Sequence, residues 1–199
     1  MTKPITLVWD IDDVLNRLTH EWLEHGWRAE HPGCRVSYEE LSANPPHHAL
    51  GVPLKAYLDS LDAFRESPRG LNLSPTPETV DWFSRHGDRF RHIALTARPM
   101  ASAPAAAEWV VRHYGRWIRA FGFVPSPRPD ELLPPYASTK GEWLRWIGTG
   151  DVLIDDSLAN LADARAEGLL TFAPPQPWNG QSGSLSSVLE QLTAALPLP

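Results

Sequence analysis

The stretch LVWDIDDVL, residues 7–15, joins an apolar run to three aspartates, Asp10, Asp12 and Asp13. The apolar residues are typical of a strand that is buried in a sheet. Carboxylates this close to one another repel unless a cation joins them. The stretch therefore indicates a buried strand that ends in a cluster of negative charge.

Five short apolar runs, the first of them overlapping this stretch, have the nearly continuous hydrophobicity of strands covered on both faces. They are residues 5–9, 92–96, 120–124, 151–155 and 169–173. Helical patterns lie between or after them, at residues 77–87, 105–118, 140–148 and 157–168. The alternation of strand and helix predicts an α/β fold with a doubly wound parallel sheet.

One interval, residues 16–74, interrupts this alternation because it contains no clear central strand. Its segments RLTHEWLEHGWRAEH and PLKAYLDSLDAFRES both look helical. We therefore predict a catalytic core made of residues 1–15 and 75–199, with residues 16–74 inserted as a small, mostly helical cap.

The aromatic residues of this cap, Trp22, Trp27 and Phe64, have the spacing of a helical core, and we expect them to pack inside the cap. Two cap arginines, Arg65 and Arg69, could either contact a second anionic group of a ligand or lie in solvent. We expect both to lie on a solvated surface.

Polar residues follow three of the predicted strands. The first strand ends in Asp10, the second in Thr96, and the fourth in Asp155 and Asp156. In open α/β sheets the ligand binds beyond the carboxyl ends of the strands, so these side chains are expected at one site. Hard divalent ions such as Mg²⁺ bind carboxylates and often share a phosphate, which predicts a metal and phosphate site there.

A lysine, Lys140, is expected beside these acids. It follows Thr139 in the segment TKGE (139–142), which has the Thr-x-x-Glu pattern of a helix capping box. Lys140 would then lie in the first helical turn, next to free backbone N–H groups. An ammonium group at a helix N-terminus favours anion binding.

This arrangement resembles the haloacid dehalogenase superfamily of phosphotransferases, a resemblance that covers the core strands and four motifs. The motifs are DIDDV (10–14), ALTARP (94–99), Lys140 and LIDDSLANLADARAEG (153–168). The resemblance implies that Asp10 is a nucleophile forming an aspartyl-phosphate and that Asp12 is the general acid and base. Dehalogenating members lack the second acid, so Asp12 favours phosphate ester hydrolysis. Asp13 stands where many members have glycine, and we expect it to be a turn residue.

The resemblance also implies a Mg²⁺ site and a phosphate site. The metal ligands would be the Asp10 carboxylate, the backbone carbonyl of Asp12 and Asp156, with Asp155 ligating directly or through water. Thr96 would hydrogen-bond the phosphoryl oxygens, and Lys140 would balance the negative charge. Substrate binding would involve Thr96, Ala97, Arg98 and Lys140.

Helical caps between the first two motifs generally occur in members that act on small substrates. Residues 96–115 also resemble the same region of cytosolic 5′(3′)-deoxyribonucleotidases, which makes a 5′-nucleotidase the leading subtype. Two alternatives stay open at this point. One is a phospho-receiver switch module, which also uses Asp, Thr, Lys and Mg²⁺. The other is a catalytically silent relative that only binds a ligand.

The composition limits the kinds of partner that we expect the protein to bind. The 199 residues carry a formal charge of −6 without a basic block, which argues against binding of a nucleic acid polymer. The single cysteine excludes an intramolecular disulfide. No apolar run is long enough to span a membrane, and the N-terminus does not look like a signal peptide. We expect a cytoplasmic protein with a small phosphorylated substrate; its oligomeric state is left open.

Overall fold

A computed structural model describes residues 4–126, 128 and 137–196. Its centre is a sheet of five parallel strands in the order β3-β2-β1-β4-β5. The strands are β1 (Thr6–Trp9), β2 (Arg91–Arg98), β3 (Ile118–Pro125), β4 (Val152–Ile154) and β5 (Leu170–Phe172). All five predicted strands are confirmed. The order differs from the 2-1-3-4-5 order of receiver domains, which removes the receiver alternative.

Helices cover both faces of the sheet, so the predicted doubly wound α/β class is confirmed. The core helices are α5 (Pro77–His86), α6 (Ala103–Tyr114), α7 (Lys140–Ile147), α8 (Leu158–Ala166) and α9 (Leu185–Ala195). Side chains of α5, α6 and α9 pack with Leu7 and Trp9 on one face, whereas α7 and α8 pack with Val8 on the other. This alternation follows from the two-residue period of a strand.

Two of these helices differ from the sequence prediction. Helix α6 ends at Tyr114 rather than at residue 118, because Gly115 interrupts it and β3 already begins at Ile118. Helix α9 was not predicted, although Val188, Leu189 and Leu192 form a helical apolar face that is buried in the core. None of the helices among the described residues combines the length and apolarity that crossing a membrane requires.

Residues 16–74, all of which are described, contain helices and no strand. The helices are α1 (Leu18–Trp22), a π-helical turn (Leu23–Trp27), α2 (Arg28–Glu30), a 3₁₀ turn (Tyr38–Glu40), α3 (Leu54–Glu66) and α4 (Pro68–Leu71). Their apolar faces form a hydrophobic cluster separate from those of the sheet. Trp22, Trp27 and Phe64 are buried in this cluster, as expected from their spacing.

Candidate active site

The residues predicted from the strand ends meet at one edge of the sheet. Asp10 follows β1, Thr96 lies near the end of β2, and Asp155 and Asp156 follow β4. All four are buried. Because every strand is parallel, the carboxyl ends share one edge, and this explains why residues distant in sequence come together.

Lys140 lies at the centre of this cluster and is fully buried at the first position of α7. Its Nζ is 2.9 Å from Asp10 Oδ1 and 2.6 Å from Asp155 Oδ2. Burial lowers its pKa, but the two carboxylates raise it more, so the pKa of Lys140 lies above its ordinary value. The lysine is therefore a permanent positive charge between two acids.

The helix that carries Lys140 begins largely as predicted. Thr139 is the N-cap, and its hydroxyl oxygen accepts a hydrogen bond from the backbone N–H of Glu142 at 3.2 Å. The reciprocal bond differs from a regular capping box, because the Glu142 carboxylate accepts the backbone N–H of Ser138, at 2.6 Å.

Three carboxylates, those of Asp10, Asp155 and Asp156, are arranged as a metal site would be. Each offers an oxygen, and these oxygens all lie within 4.8 Å of one another. Burial raises the pKa of Asp10 to about 7, with Lys140 opposing and Asp155 and Asp12 adding to the rise. Burial, then Asp155 and Asp10, raise the pKa of Asp156 well above its ordinary value. Buried acids that repel one another in this way fit a hard divalent cation such as Mg²⁺.

Donors that surround the two acids of the fourth motif hold their carboxylates in place. Asp155 Oδ1 accepts the backbone N–H of Ser157 at 2.9 Å and the side-chain amide of Asn160 at 3.1 Å. Asp156 Oδ2 accepts the indole N–H of Trp178 at 2.7 Å. The sequence did not predict Trp178, because it lies in a proline-rich loop with no recognisable motif.

Replacing Trp178 by phenylalanine is expected to weaken Mg²⁺ binding by about tenfold or more, because the substitution keeps the ring but removes the bond that orients Asp156. A calorimetric titration with Mg²⁺ measures the change. Trp146→Phe is the matched control, since the Trp146 side chain is 63% exposed on α7. Equal Mg²⁺ affinities for the Trp178 variant and the parent protein would contradict the role of this bond.

Asp12 is held by two arginines. Arg98 is bidentate, with its Nε 2.8 Å from Asp12 Oδ2 and its Nη2 bonded to Oδ1. Arg65 Nη2 lies 3.2 Å from Asp12 Oδ2. Burial raises the pKa of Asp12, but Arg98 and Arg65 outweigh it and lower the pKa to about 2. Asp12 is thus ionised in this state of the protein.

The position of Arg65 corrects the sequence prediction. Its side chain is only 9% exposed, whereas that of Arg69 is 53% exposed and bonds Glu21, as expected for a surface residue. Arg65 follows Leu61 by four residues and therefore lies on the buried face of α3. The four-residue spacing from Leu61 could have predicted that Arg65 is buried. The charge of its side chain favoured an exposed position instead.

Asp13 adopts a left-handed conformation, with φ of 59°, in the turn after β1. Its carboxylate accepts the backbone N–H and the hydroxyl of Thr19 in α1. The residue expected to form a turn therefore also ties the start of the predicted cap to the end of β1.

A cavity of about 340 Å³ lies between the sheet edge and the helices of residues 18–66. Asp10, Asp12, Thr96, Ala97 and Asp156 line its polar side. Its other side is mostly apolar and is formed by Leu18, Leu54, Tyr57, Leu58 and Leu61 together with Arg65. Three of the four predicted acids, the threonine and the alanine thus face one partly open cavity, while Lys140, Asp155 and Arg98 support it from behind.

The sequence matches no protein-family model and no curated protein sequence. The structure does resemble solved structures along nearly its whole length. A haloacid dehalogenase-like family hydrolase from Streptococcus pneumoniae has a TM-score of 0.62 at 13% identity, covering 98% of this chain and 99% of that chain. A haloacid dehalogenase-like family hydrolase from Xanthomonas campestris has a TM-score of 0.56 at 11% identity, covering 97% and 96%. A subfamily IA hydrolase of the same superfamily from Geobacter sulfurreducens has a TM-score of 0.53 at 13% identity, covering 95% and 96%.

Proposed function

We propose that this chain, which has the fold of the haloacid dehalogenase-like hydrolases, is a Mg²⁺-dependent phosphomonoester hydrolase that acts on a small phosphorylated metabolite. The observation that carries the proposal is the buried Lys140, bonded to Asp10 and Asp155 beside the cluster of carboxylates. Such a cluster combines a nucleophile, a cation site and a fixed positive charge, which are the groups that phosphoryl transfer requires.

Asp10, Asp156 and the backbone carbonyl of Asp12 would hold the metal directly. Both side-chain oxygens of Asp155 already accept hydrogen bonds, from Lys140, Ser157 and Asn160. This supports Asp156 as the direct ligand and Asp155 as a ligand through water. When bound, Mg²⁺ supplies positive charge that offsets the phosphoryl oxygens and the carboxylates.

In the first chemical step, the Asp10 carboxylate attacks phosphorus and forms an aspartyl-phosphate. The bond between phosphorus and the ester oxygen breaks, and Asp12, which has to enter this step in its protonated form, gives that proton to the leaving alcohol. Thr96 donates a hydrogen bond to the phosphoryl oxygens, and Lys140 favours the ionised form of Asp10 against the opposing effect of burial. Ala97 lines the cavity beside Thr96, and Arg98 supports this wall from behind through its bonds to Asp12.

In the second step, Asp12 removes a proton from water, which attacks the same phosphorus. The bond between phosphorus and Asp10 breaks, so inorganic phosphate leaves and the carboxylate is restored. Because its pKa is low, the Asp12 carboxylate is a weak proton acceptor, and it carries little of the protonated form that a proton donor needs. Both roles require the Arg98 and Arg65 contacts to loosen when the substrate enters.

The helices of residues 16–74 would serve as a cap that closes the site and excludes water from the aspartyl-phosphate. Their apolar lining of the cavity supports this role. A cytoplasmic 5′-nucleotidase is the narrower proposal, resting on the resemblance of residues 96–115. The catalytically silent alternative predicts ligand binding without turnover.

The proposal is tested by phosphate release from nucleoside monophosphates and sugar phosphates, with Mg²⁺ and with EDTA. We expect turnover of at least one compound that EDTA abolishes and added Mg²⁺ restores. Binding of a phosphoester without release of phosphate would favour the silent alternative. Turnover that is equal in EDTA would contradict a metal-dependent reaction.

The stabilisation of the protein by Mg²⁺ is expected to grow as the pH rises. Without metal, the pKa of Asp10 in the folded state is about 7 against an ordinary value of 3.8, so the folded state holds a proton that the unfolded state releases between these values. The contribution of Asp10 to stability is therefore complete below about pH 4 and is lost as the pH rises through about 7. Mg²⁺ needs the ionised acids and replaces the lost stability. Melting temperatures with Mg²⁺ and with EDTA at about pH 5 and about pH 8 measure the difference; a larger Mg²⁺ effect at the lower pH would contradict it.

A further inference from the structure

The guanidinium group of Arg65 lines the cavity and has one N–H group without a hydrogen-bond partner. Its Nη2 bonds Asp12 at 3.2 Å and its Nη1 bonds Asp62 at 2.9 Å, while its Nε is buried without a hydrogen-bond partner. A guanidinium has five N–H donors, and a buried donor without a partner is costly. An unsatisfied buried donor in a native protein calls for an explanation, and a role in catalysis or ion binding is one.

Arg65 also shares each of its carboxylates with another arginine. Asp12 is already bound by both the Nε and the Nη2 of Arg98. Asp62 is bound through both oxygens by Arg128, at 2.7 and 2.9 Å. Each acid therefore neutralises the positive charge of Arg65 only in part, although the Arg65 side chain is nine-tenths buried. A guanidinium in this position is suited to bidentate binding of a further carboxylate or phosphate.

The place of Arg65 in the cavity defines which part of a ligand it would meet. It lines the cavity from α3 and contacts Asp12, the residue assigned to the leaving group, rather than Asp10, the residue assigned to attack phosphorus. Arg128 lines the same cavity from the core side. Leucines 54, 58 and 61 lie along the wall that carries Arg65 and would contact carbon atoms.

From this geometry we propose that the site selects phosphomonoesters that carry a second anionic group, a carboxylate or another phosphate, on the carbon skeleton of the leaving alcohol, and that Arg65 binds that group. The inference rests on the proposed function, because it concerns the leaving-group side of the same reaction. It favours such esters over the nucleoside monophosphates of the narrower nucleotidase proposal, which lack a second anionic group. The cavity volume of about 340 Å³ suits compact substrates of this kind. Contact with the second anion would also draw Arg65 away from Asp12, which removes one of the two arginines that bind this carboxylate.

Two matched pairs of compounds test the selection. The first is 3-phosphoglycerate against glycerol 3-phosphate, which differ by a carboxylate in place of a hydroxymethyl group. The second is fructose 1,6-bisphosphate against fructose 6-phosphate, which differ by a phosphate. We expect kcat/KM to favour the more anionic member of at least one pair by about tenfold or more, and the pair with the larger preference identifies the second group.

The Arg65→Ala variant is expected to reduce this preference to near unity, and Arg65→Lys to leave an intermediate preference, because lysine keeps the charge but not the fork. Arg69→Ala, on the exposed surface of α4, is the matched control and should keep the full preference. Circular dichroism confirms that each variant folds, and Arg65→Lys alone decides the question if Arg65→Ala does not fold.

Two outcomes overturn the inference. One is a wild-type protein that shows no preference within either pair. The other is an Arg65 substitution that changes kcat/KM equally for both members of a pair, since that result would mean that Arg65 acts only through its bond to Asp12. If no ester is turned over, the proposed function fails separately, and calorimetric affinities of the same intact compounds for the wild-type protein and the Arg65 variants decide the inference. Equal affinities, or no binding of either member, would then overturn it.

Discussion

Replacing Asp10 by asparagine is expected to lower phosphate release by about 10⁴-fold or more, because the amide is a far weaker nucleophile than the carboxylate. The fold should survive the change. Asparagine has nearly the same shape, and it keeps an oxygen for Lys140 and for the backbone N–H of Ile11, which bonds Asp10 Oδ1 at 2.7 Å. The metal-free variant should be as stable as the parent at neutral pH or more so, since one of the mutually repelling acids is removed.

Three measurements separate loss of the nucleophile from other causes. Asp151→Asn is the matched control, because Asp151 directly precedes β4 at the opposite edge of the sheet and bonds the backbone N–H of Thr6 at 2.7 Å, a bond that an asparagine oxygen also accepts. Its activity should be unchanged. Excess Mg²⁺ should restore part of the activity of Asp156→Asn but none of that of Asp10→Asn. Mass spectrometry of rapidly quenched wild-type reactions should find a phosphoryl group on the peptide that contains Asp10. Undiminished turnover by Asp10→Asn would refute the covalent mechanism.

Replacing Lys140 by methionine is expected to lower the free energy of unfolding of the metal-free protein by about 3–5 kcal/mol. The substitution keeps the length and the apolar stem of the side chain. It leaves Asp10 and Asp155 buried without the cation that now bonds both. The loss should be larger at pH 8 than at pH 6, because protonation of Asp10 relieves the repulsion at the lower pH.

Chemical denaturation in EDTA measures this loss. Lys55→Met is the matched control, because Lys55 bonds Asp59 at the surface with 69% of its side chain exposed, and exposed pairs contribute about 1 kcal/mol or less. Mg²⁺ should recover part of the stability of Lys140→Met by replacing the missing positive charge. A loss no larger than that of the Lys55 control would show that Lys140 does not stabilise the acids.

The sequence by itself determined the sheet and the reactive edge. The five apolar runs became the five strands, and in β1 the side chains of Leu7 and Trp9 alternate with that of Val8 between the two covered faces of the sheet. The parallel arrangement then required the residues after β1, β2 and β4 to share one edge. Asp10, Thr96, Asp155 and Asp156 were found in this way, and the helix-start pattern around Thr139 placed Lys140 beside them.

Only the tertiary structure decided what surrounds that edge. Arg65 and Trp178 are far from Asp12 and Asp156 along the chain, yet each bonds one of them. A sequence pattern shows which face of a helix or strand is apolar, because buried apolar residues recur at the regular spacing of that element. A contact between two charged or polar side chains has no such period, since it depends on how the helices of residues 16–74 and the loop after β5 meet the sheet. The charge at the edge was therefore evident in the sequence, whereas the partners of that charge were set by packing.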